Sequence, residues 1–600
     1  MRILTILLIL ILAVGAGYAQ TPENMKLRVK VIDAEGKPIP KDAVDRFHIL
    51  DMSDEPMYTL IVPHDGSVTV VLPTPEKSRP RRVGDPSPTL PATGRERLGA
   101  FSATGKESLV AADPSPALPA TGRERLGGFA ATGREHVGGL PATGRGDVGT
   151  PHSTLATPRS TLATPHSNII PFQICMMLNV PGFGEVAVFA DGKGKGYSQA
   201  GTIDFATEAA ATRLLRVRNA LKAAERQGIR MPREFREKLD RAEKLPPYES
   251  LAITLAAGEE LTLTAARQRI EKLKAPRKDF IFGCNAFGYP ARGPLYQERF
   301  KEVFNLGITN VYISHFAPTE TTRNYDRTDA ETEWLLSNGM KVKPCPPFYM
   351  AGGVTPQWLR DKPHAEVPKI GYKLVYETVA RYKGRTEFCE IMNEAHDHSN
   401  ALRLSPDELT LCALYTSRAA RDADPNVRRI INSCHLWGEY VASRDREGRV
   451  KRSPFAYLQD CLAIGAEFEI VGLQLYYPEY DLFEIERLFD RFATLGKPIQ
   501  ITEMGCQSAP GLDPNAQRQR ATKGWHGPWT EEMQADWVEA IYTLAYSKPY
   551  IEGVSWWDLA DAVSFWPYGG LLRGDCSPKP AFERLKALQK KWSVAKQVGD

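Results

Sequence analysis

Two glutamates, each closing an apolar run in the second half of the chain, are the leading candidates for chemistry. Glu394 lies in FCEIMNEAHD (388–397) and Glu503 lies in IQITEMG (499–505). Hydrolysis of a glycosidic bond uses two carboxyl groups, one to protonate the leaving oxygen and one to face the anomeric carbon. A separation of about 5 to 5.5 Å gives retention of configuration, and a wider one gives inversion. Either glutamate alone is weak evidence, so the hypothesis depends on the two being brought together.

The surrounding pattern predicts how they would meet. From Asp279 onward, short apolar runs alternate with amphipathic helical segments, which is typical of a parallel sheet covered by helices. Eight such units predict an α/β fold, a (β/α)8 TIM barrel forming a catalytic domain over residues 277–595. The predicted strands are 280–285, 309–314, 341–345, 388–393, 429–433, 467–475, 498–502 and 553–557.

The carboxyl ends of barrel strands open into one mouth. Glu394 is expected just after the fourth strand and Glu503 just after the seventh, on opposite sides of the ring, so that they face each other across a sugar. Aromatic side chains at other strand ends are suited to stacking on sugar rings: Tyr476, Tyr477, Trp556, Trp557 and Trp566. Weaker candidates are a third acidic residue and four histidines that could bind hydroxyls or be ordinary loop or core residues: Glu439, His315, His396, His398 and His435.

Several of these segments, in the same order, resemble glycoside hydrolase family 10, the retaining endo-β-1,4-xylanase family of clan A. The similarity covers roughly residues 279–592, and its last block is the most specific. The segments are IMNEA (391–395), VGLQ (471–474), IQITE (499–503) and GVSWWDLADAVSFWPYGGLLRGDCSPKPAF (553–582).

The resemblance implies roles for individual residues. Glu394 would be the general acid/base, with a raised pKa, and Glu503 the ionised nucleophile that forms a glycosyl-enzyme intermediate. The substrate-binding residues would be Asn393 at the sugar 2-hydroxyl, Gln474 and Tyr476 beside the nucleophile, and Trp557 as a wall of the subsite. No cofactor is implied, and the substrate would be a β-linked, xylan-like polysaccharide or oligosaccharide.

The chain also departs from the family pattern. PCPPFYM (344–350) stands where the family has Gly-His-Thr-Leu-x-Trp-His, and Tyr476 stands where it has a histidine. The family's Glu-Asn-x-x-Lys-Trp run is missing near Ser314, His315 and Phe316. Two alternatives therefore stay open: a clan A glycosidase of different specificity, and a catalytically weak carbohydrate-binding protein.

The N-terminal part predicts a β-sandwich-like domain over 24–73 and 169–265. Alternating runs predict strands at 26–33, 67–72, 169–180 and 184–190, with a further strand at Leu261–Thr264 and a connector over 265–276. Segments 206–226 and 232–244 have helical spacing and many charges, which favours a solvated helical hairpin.

Residues 74–168 form a low-complexity insertion. DPSPTLPATGRERLGAFSATG begins at Asp85 and recurs nearly unchanged from Asp113, a period of 28 residues, and STLATP repeats near 150–167. Each unit has few large apolar residues among Pro, Gly, Thr and Arg, too few to offset the entropy of ordering, so disorder is expected.

The chain ends and composition limit the partners. Residues 1–20 (MRILTILLILILAVGAGYAQ) are typical of a signal peptide, which predicts a secreted or periplasmic protein. No later apolar run reaches about 18 residues, so stable membrane insertion is not expected. The net charge of +4 is spread out, which disfavours nucleic acid. The nine cysteines lie mostly in apolar runs and are expected to be buried and unpaired, no spacing indicates a metal site, and a monomer is expected.

Overall fold

The computed structural model describes residues 25–41, 47–74, 169–289, 291–396, 399–442, 451–561 and 564–593. The described residues all belong to one compact unit, and residues 86–165 lie outside the described part. The predicted signal peptide and the predicted disorder of the insertion also fall outside the described residues.

The N-terminal region contains two four-stranded sheets that share a core. The strands are β1 (Lys26–Lys30), β2 (His48–Asp51), β3 (Pro56–Met57), β4 (Ile61–His64), β5 (Ser67–Val71), β6 (Phe172–Val180), β7 (Gly184–Ala190) and β8 (Gly201–Asp204). One sheet has the order β4-β5-β1-β8 and the other β3-β2-β6-β7. Alternate residues of both, such as Val29 and Val70 in one and Ile174 and Val188 in the other, pack in one hydrophobic cluster.

Three helices follow these sheets: α1 (Phe205–Arg226), α2 (Arg233–Ala242) and α3 (Pro247–Glu271). The strand predicted at Leu261–Thr264 is wrong, because these residues lie inside α3, as does the first half of the predicted connector. The alternation of Leu and Thr suggested a strand, but Leu251, Leu255, Leu261 and Ala265 are buried at helical spacing.

The barrel consists of eight parallel strands with intervening helices. The strands are β9 (Ile281–Asn285), β10 (Leu306–Asn310), β11 (Lys341–Cys345), β12 (Phe388–Asn393), β13 (Arg428–Ser433), β14 (Ile470–Tyr476), β15 (Ile499–Gly505) and β16 (Ile551–Trp556). The helices are α4 (Gly293–Val303), α5 (Ile313–Phe316), α6 (Asp326–Ser337), α7 (Gln357–Arg360), α8 (Val367–Arg381), α9 (Pro406–Ala423), α10 (Pro454–Ala463), α11 (Leu482–Ala493), α12 (Glu531–Ser547) and α13 (Pro580–Ser593).

The strand order closes the sheet into a barrel. The order is β11-β10-β9-β16-β15-β14-β13-β12, with β16 paired to β9. The two ends of this order, β11 and β12, meet through a single parallel bridge between Tyr349 and Asn393, just beyond β11. The predicted TIM barrel is therefore confirmed, and its seam lies beside Glu394.

One predicted barrel strand is displaced. The second strand covers Leu306–Asn310 rather than 309–314, and Ile313–Phe316 is a short helix. Gly307 interrupted the apolar run that indicated the strand, but this glycine is needed because the Leu335 side chain occupies the space a Cβ would fill. The prediction therefore started too late.

Two barrel helices begin at capping side chains, and the cysteines agree with the prediction. Ser405 caps α9 in a capping box with Glu408, and Thr530 caps α12 by accepting from the Met533 amide. The nine cysteines are all free and buried. In the described part of the chain, no helix is long and apolar enough to cross a membrane.

The N-terminal region packs directly on the barrel. From α1, the Arg213 guanidinium forms ion pairs with Asp481 and Glu484 at the start of α11. The Arg213 guanidinium passes so close to Gly258 of α3 that a Cβ at this position would collide with it. This close approach explains the glycine in the middle of the helix.

Candidate active site

Glu394 lies at the carboxyl end of β12 in an unusual backbone conformation. Its φ of 53° is in the left-handed region that disfavours side chains with a Cβ, and its amide donates to the Asn432 carbonyl at 2.9 Å. The half-buried carboxylate accepts three hydrogen bonds, from Tyr349 Oη at 2.8 Å, Ser399 Oγ at 2.5 Å and Gln474 Nε2 at 2.8 Å. Backbone strain of this kind clusters at functional sites.

Glu503 lies inside β15 rather than just after it, which corrects its predicted position. The strand extends to Gly505 because Gly505 pairs with Tyr476 of β14. A register shift after Leu473 places Gln474 of β14 opposite Glu503. The buried Glu503 carboxylate accepts from Tyr476 Oη at 2.8 Å and from Asn432 Nδ2 at 3.0 Å.

Three amide side chains connect the two glutamates. Gln474 Nε2 donates to Glu394 and lies 3.2 Å from Asn393 Oδ1. Asn432 Nδ2 lies 3.1 Å from the same Asn393 oxygen and also reaches Glu503. Because Asn393 Oδ1 faces two donors, its Nδ2 group is the end available to a ligand. The residues predicted to meet at the barrel mouth thus share one hydrogen-bond network.

A third carboxylate, Glu390, is buried beneath this network. It forms an ion pair with the buried Lys343 at 3.2 Å and lies 3.2 Å from Asn432 Nδ2. Burial first, and then the charges of Glu390 and Glu394, raise the pKa of Glu503 well above its ordinary value, against the hydrogen bond from Tyr476. The sequence led us to expect an ionised Glu503, whereas its surroundings in the free site disfavour the charged form.

The cleft around the pair has two lobes. The first, of about 390 Å³, is lined from β9, β10 and the segment after β16. The second, of about 460 Å³, is lined from the ends of β13 and β14 and from the segment after β15. Residues that line both lobes are Glu394, Gln474, Arg518 and Phe565. A chain of sugars spanning both lobes would pass over the predicted acid.

Aromatic rings border both lobes. Trp557 lines the first lobe and packs edge-on against Phe287, with ring centroids 5.6 Å apart. Tyr476 lines the second lobe, with its ring 5.1 Å from that of Phe565 and 6.1 Å from that of Trp566. These rings supply flat apolar surfaces on both sides of the carboxylates.

The weaker candidates separate into different environments. His315 lines the first lobe, with Nδ1 3.0 Å from Asn310 Oδ1, and its pKa is lowered by burial. His435 and Glu439 line the second lobe. His396 is fully buried, with Nε2 accepting from the Cys434 amide at 3.2 Å, so it is a core residue. His398 lies outside the described residues.

Sequence reasoning missed several polar residues of the site. Glu390 and Asn432 lie on strands that were predicted correctly, and polar residues inside apolar runs are a signal that could have identified them. Tyr349 and Ser399 lie in loops, where no pattern predicted contact with Glu394. Within the described residues, no group of three or more His, Cys, Asp or Glu side chains is arranged to hold a metal ion.

Residues 295–588 match the family model described as "Glycosyl hydrolase family 10". The barrel is a glycosyl hydrolase family 10 domain. This match covers the last seven of the eight strands and both glutamates of the site. The match confirms the resemblance to family 10 of the IMNEA, IQITE and tryptophan-rich segments.

Relatives of the family 10 domain are distant. Endo-1,4-beta-xylanase C of Paenibacillus barcinonensis is 24% identical over 310 residues, which cover 46% of this chain and 26% of the xylanase. Anti-sigma-I factor RsgI6 of Acetivibrio thermocellus is 22% identical over 310 residues, covering 50% of this chain and 36% of that protein. The chain thus spans about a quarter to a third of the length of these two relatives, and it is a divergent member of the family.

Two solved structures are similar to about half of this chain. Native xylanase 10B of Thermotoga maritima superposes with a TM-score of 0.42 at 19% identity, covering 54% of this chain and 98% of that one. The Paenibacillus barcinonensis GH10 structure has a TM-score of 0.42 at 20% identity and covers 54% of this chain and 97% of its own.

Proposed function

We propose that the family 10 domain hydrolyses a β-1,4-linked, xylan-like polysaccharide with retention of configuration. The observation that carries the proposal is the pair Glu394 and Glu503, connected through Gln474, Asn393 and Asn432 in a two-lobed cleft. A relative is named as an endo-1,4-beta-xylanase, which supports the choice of substrate. Open space on both sides of Glu394 supports cleavage within a chain.

In the proposed first step, a Glu503 carboxylate oxygen bonds to the anomeric carbon while the glycosidic C–O bond breaks. Glu394 gives its proton to the leaving oxygen, which departs as a free hydroxyl. In the second step, Glu394 takes a proton from water, the water oxygen bonds to the anomeric carbon, and the bond to Glu503 breaks. Both residues then regain their starting protonation.

The surroundings of each glutamate fit these roles. Tyr349 and Ser399 contact Glu394 through hydroxyl groups, which can donate to the carboxylate or accept from the acid as the proton moves. Glu503 has a raised pKa in the free site. Positive charge developing at the anomeric carbon would favour its ionised form, with Tyr476 and Asn432 as donors.

The test is a substrate panel with two variants. We expect Glu503→Ala to lower kcat by about 10⁴-fold or more on every substrate, because no nucleophile remains. Glu394→Ala should keep substantial activity on aryl glycosides whose leaving groups need no proton, and azide should restore part of the loss. Equal losses that azide does not rescue would contradict the assigned roles, and inversion measured by NMR would contradict retention.

A second candidate function is glycan binding without turnover. It is favoured by the departure of residues 344–350 from the family pattern and by the raised pKa of Glu503, which opposes an ionised nucleophile. Calorimetry with xylo-oligosaccharides together with an assay of reducing ends separates the two. Binding without any release of reducing ends would support this second function.

We also propose that the protein is exported and acts as a monomer. The apolar run within residues 1–20 supports export. Cell fractionation with N-terminal sequencing tests it, and an intact N-terminus on a cytoplasmic protein would contradict it. Light scattering measures the mass of the protein in solution, and the mass of a dimer would contradict the proposed monomer.

A further inference from the structure

The segment between β15 and α12, residues 506–530, forms a long wall of the cleft; we name it the cleft loop. Its middle part reaches the first lobe with Gln517 and Arg518, and the second lobe with Arg518, Arg520 and Thr522. The Gln517 and Arg518 amides donate to the carbonyls of Ser564 and Phe565, at 2.9 Å each. This part of the loop thus lies along the segment that follows β16.

The far end of the cleft loop rests on the N-terminal region. The ring of His526 lies over Phe183, with centroids 4.3 Å apart, and Lys523 pairs with Glu185 at 2.6 Å. Both partners flank or begin β7, well outside the matched family 10 segment. The loop that lines the cleft is therefore supported by residues that the barrel does not supply.

One buried carboxylate, that of Glu259 in α3, contacts two residues of this wall. His526 Nε2 lies 2.8 Å from Glu259 Oε2, and Trp525 Nε1 donates to Oε1 at 3.3 Å. The same Oε1 accepts from the Leu482 amide at 3.1 Å, at the first residue of α11. A single side chain thus holds both the cleft loop and the start of α11.

The start of α11 leads back to the second lobe. Glu479, three residues before Leu482, lines that lobe, and its carbonyl accepts from the Ala187 amide of β7 at 3.0 Å. Thus two separate wall segments of the second lobe, residues 476–482 and the cleft loop, are both bonded to the N-terminal region. The cleft-loop residues that reach the first lobe, Gln517 and Arg518, are instead bonded to Ser564 and Phe565 of the barrel.

We propose that the N-terminal region builds part of the substrate cleft, and that Glu259 is the positioning residue that holds the second lobe in shape. The inference rests on the proposed glycan-hydrolysing function. Its consequence is selective: sugar units bound in the second lobe depend on Glu259, whereas a unit bound in the first lobe does not. The N-terminal sheets and helices would then determine how well long substrates bind, rather than form a separate binding module.

The test compares Glu259→Met with Glu260→Gln in the full chain. Glu260 is the next residue of the same helix, but it pairs with Lys238 of α2 and makes no contact with the cleft loop that the structure describes. Kinetics are measured on a xylo-oligosaccharide long enough to fill both lobes and on an aryl glycoside with a single sugar. We expect Glu259→Met to lower the ratio of the two kcat/KM values about 10-fold, mainly through KM, because hydrogen bonds to a charged group are lost. Glu260→Gln should leave the ratio within about 2-fold.

A conservative variant and a second readout separate positioning from folding. Glu259→Gln keeps an oxygen that can accept from Leu482 and Trp525, so it should recover part of the ratio. Hydrogen exchange of residues 506–530 should be faster in Glu259→Met than in Glu260→Gln. If Glu259→Met fails to fold, His526→Ala, which removes the partner from the loop side, takes its place.

The outcomes are distinct. Equal losses on both substrates, or no change in the ratio and in exchange, would overturn the inference. If the wild-type chain cleaves neither substrate, the proposed function fails on its own, and the inference is then tested by calorimetry. It requires Glu259→Met to bind the long oligosaccharide about 10-fold more weakly than the wild type, and equal affinity would overturn it.

Discussion

Two clusters of buried charge in this protein differ in how far their carboxylates are paired with cations. At the contact between the N-terminal region and the barrel, Arg213, Arg216 and Arg487 surround Glu484. These arginines also pair with further carboxylates, those of Asp481, Asp191 and Asp54. At the barrel centre, three carboxylates, Glu390, Glu394 and Glu503, lie in one hydrogen-bond network with a single ion-paired cation, Lys343.

The pKa values of Glu484 and Glu503 follow this difference, although burial raises the pKa of Asp481, in the first cluster, to about 7. Although burial raises it, the pKa of Glu484 falls to about 2 because Arg487, Arg216 and Arg213 outweigh burial. The pKa of Glu503 rises because burial and the charges of Glu390 and Glu394 outweigh the charge of Lys343. Buried charges with matched partners hold two parts of the chain together, whereas unmatched carboxylates mark the site where chemistry is proposed.

The largest expected effect comes from breaking the matched cluster. Arg213→Met should lower the free energy of unfolding by about 3 to 5 kcal/mol, because it leaves Asp481 and Glu484 buried with one cation fewer. Arg218→Met, on the same helix, removes two exposed ion pairs, with Asp240 and Glu243, and should lower the free energy of unfolding far less. Urea denaturation measures both, and similar midpoints for the two variants would contradict the comparison.

A smaller effect of opposite sign is expected at the unmatched cluster. Glu503→Gln should raise Tm at neutral pH by a few °C, because it removes a buried carboxylate whose charged form is disfavoured. A carboxyl group with a raised folded pKa contributes stability below its ordinary pKa of 4.5, and this is lost as pH rises through the folded value. The difference in Tm between variant and wild type should therefore grow above pH 4.5. Calorimetry from pH 4 to 8 measures it, and a difference that shrinks with rising pH would contradict the balance described here.

The smallest expected effect concerns one hydroxyl of the unmatched cluster. Tyr476→Phe removes the donor to Glu503 and should lower kcat about 10-fold, with little change in KM, if that bond stabilises the ionised nucleophile. Tyr477→Phe removes a hydroxyl that donates to the Gly524 carbonyl at 3.1 Å in the cleft loop, and should act mainly on KM for long substrates. Identical effects on kcat would mean that Tyr476 does not act through Glu503.

Much of the barrel could be predicted because its signals are local. Strands at 341–345 and 388–393 were predicted at their observed bounds, and the cap at Ser405 follows from Ser-Pro-x-Glu. The strand predicted at Leu261–Thr264 was wrong because a four-residue alternation is weaker evidence than the helical spacing of the buried residues around it. The second strand was displaced because the need for Gly307 arises from Leu335, on a different element.

The candidate site was predictable only in part, for a related reason. Glu394, Glu503, Asn393 and Gln474 stand near the ends of strands whose order places them at one mouth. The hydrogen bond from Tyr349 to Glu394 depends on closure of the sheet between β11 and β12, which no local pattern encodes. Support from Glu259 depends on how the N-terminal region packs on the barrel.

The sequence by itself determined the order of the barrel elements, the two glutamates at the mouth and the family, because periodicity and strand-end residues are written along the chain. Only the tertiary structure decided which charges are matched, that Glu503 has a raised pKa, and that the N-terminal region supports the second lobe. These properties depend on burial and on distances between residues far apart in sequence, which arise only when the sheet closes and the helices pack.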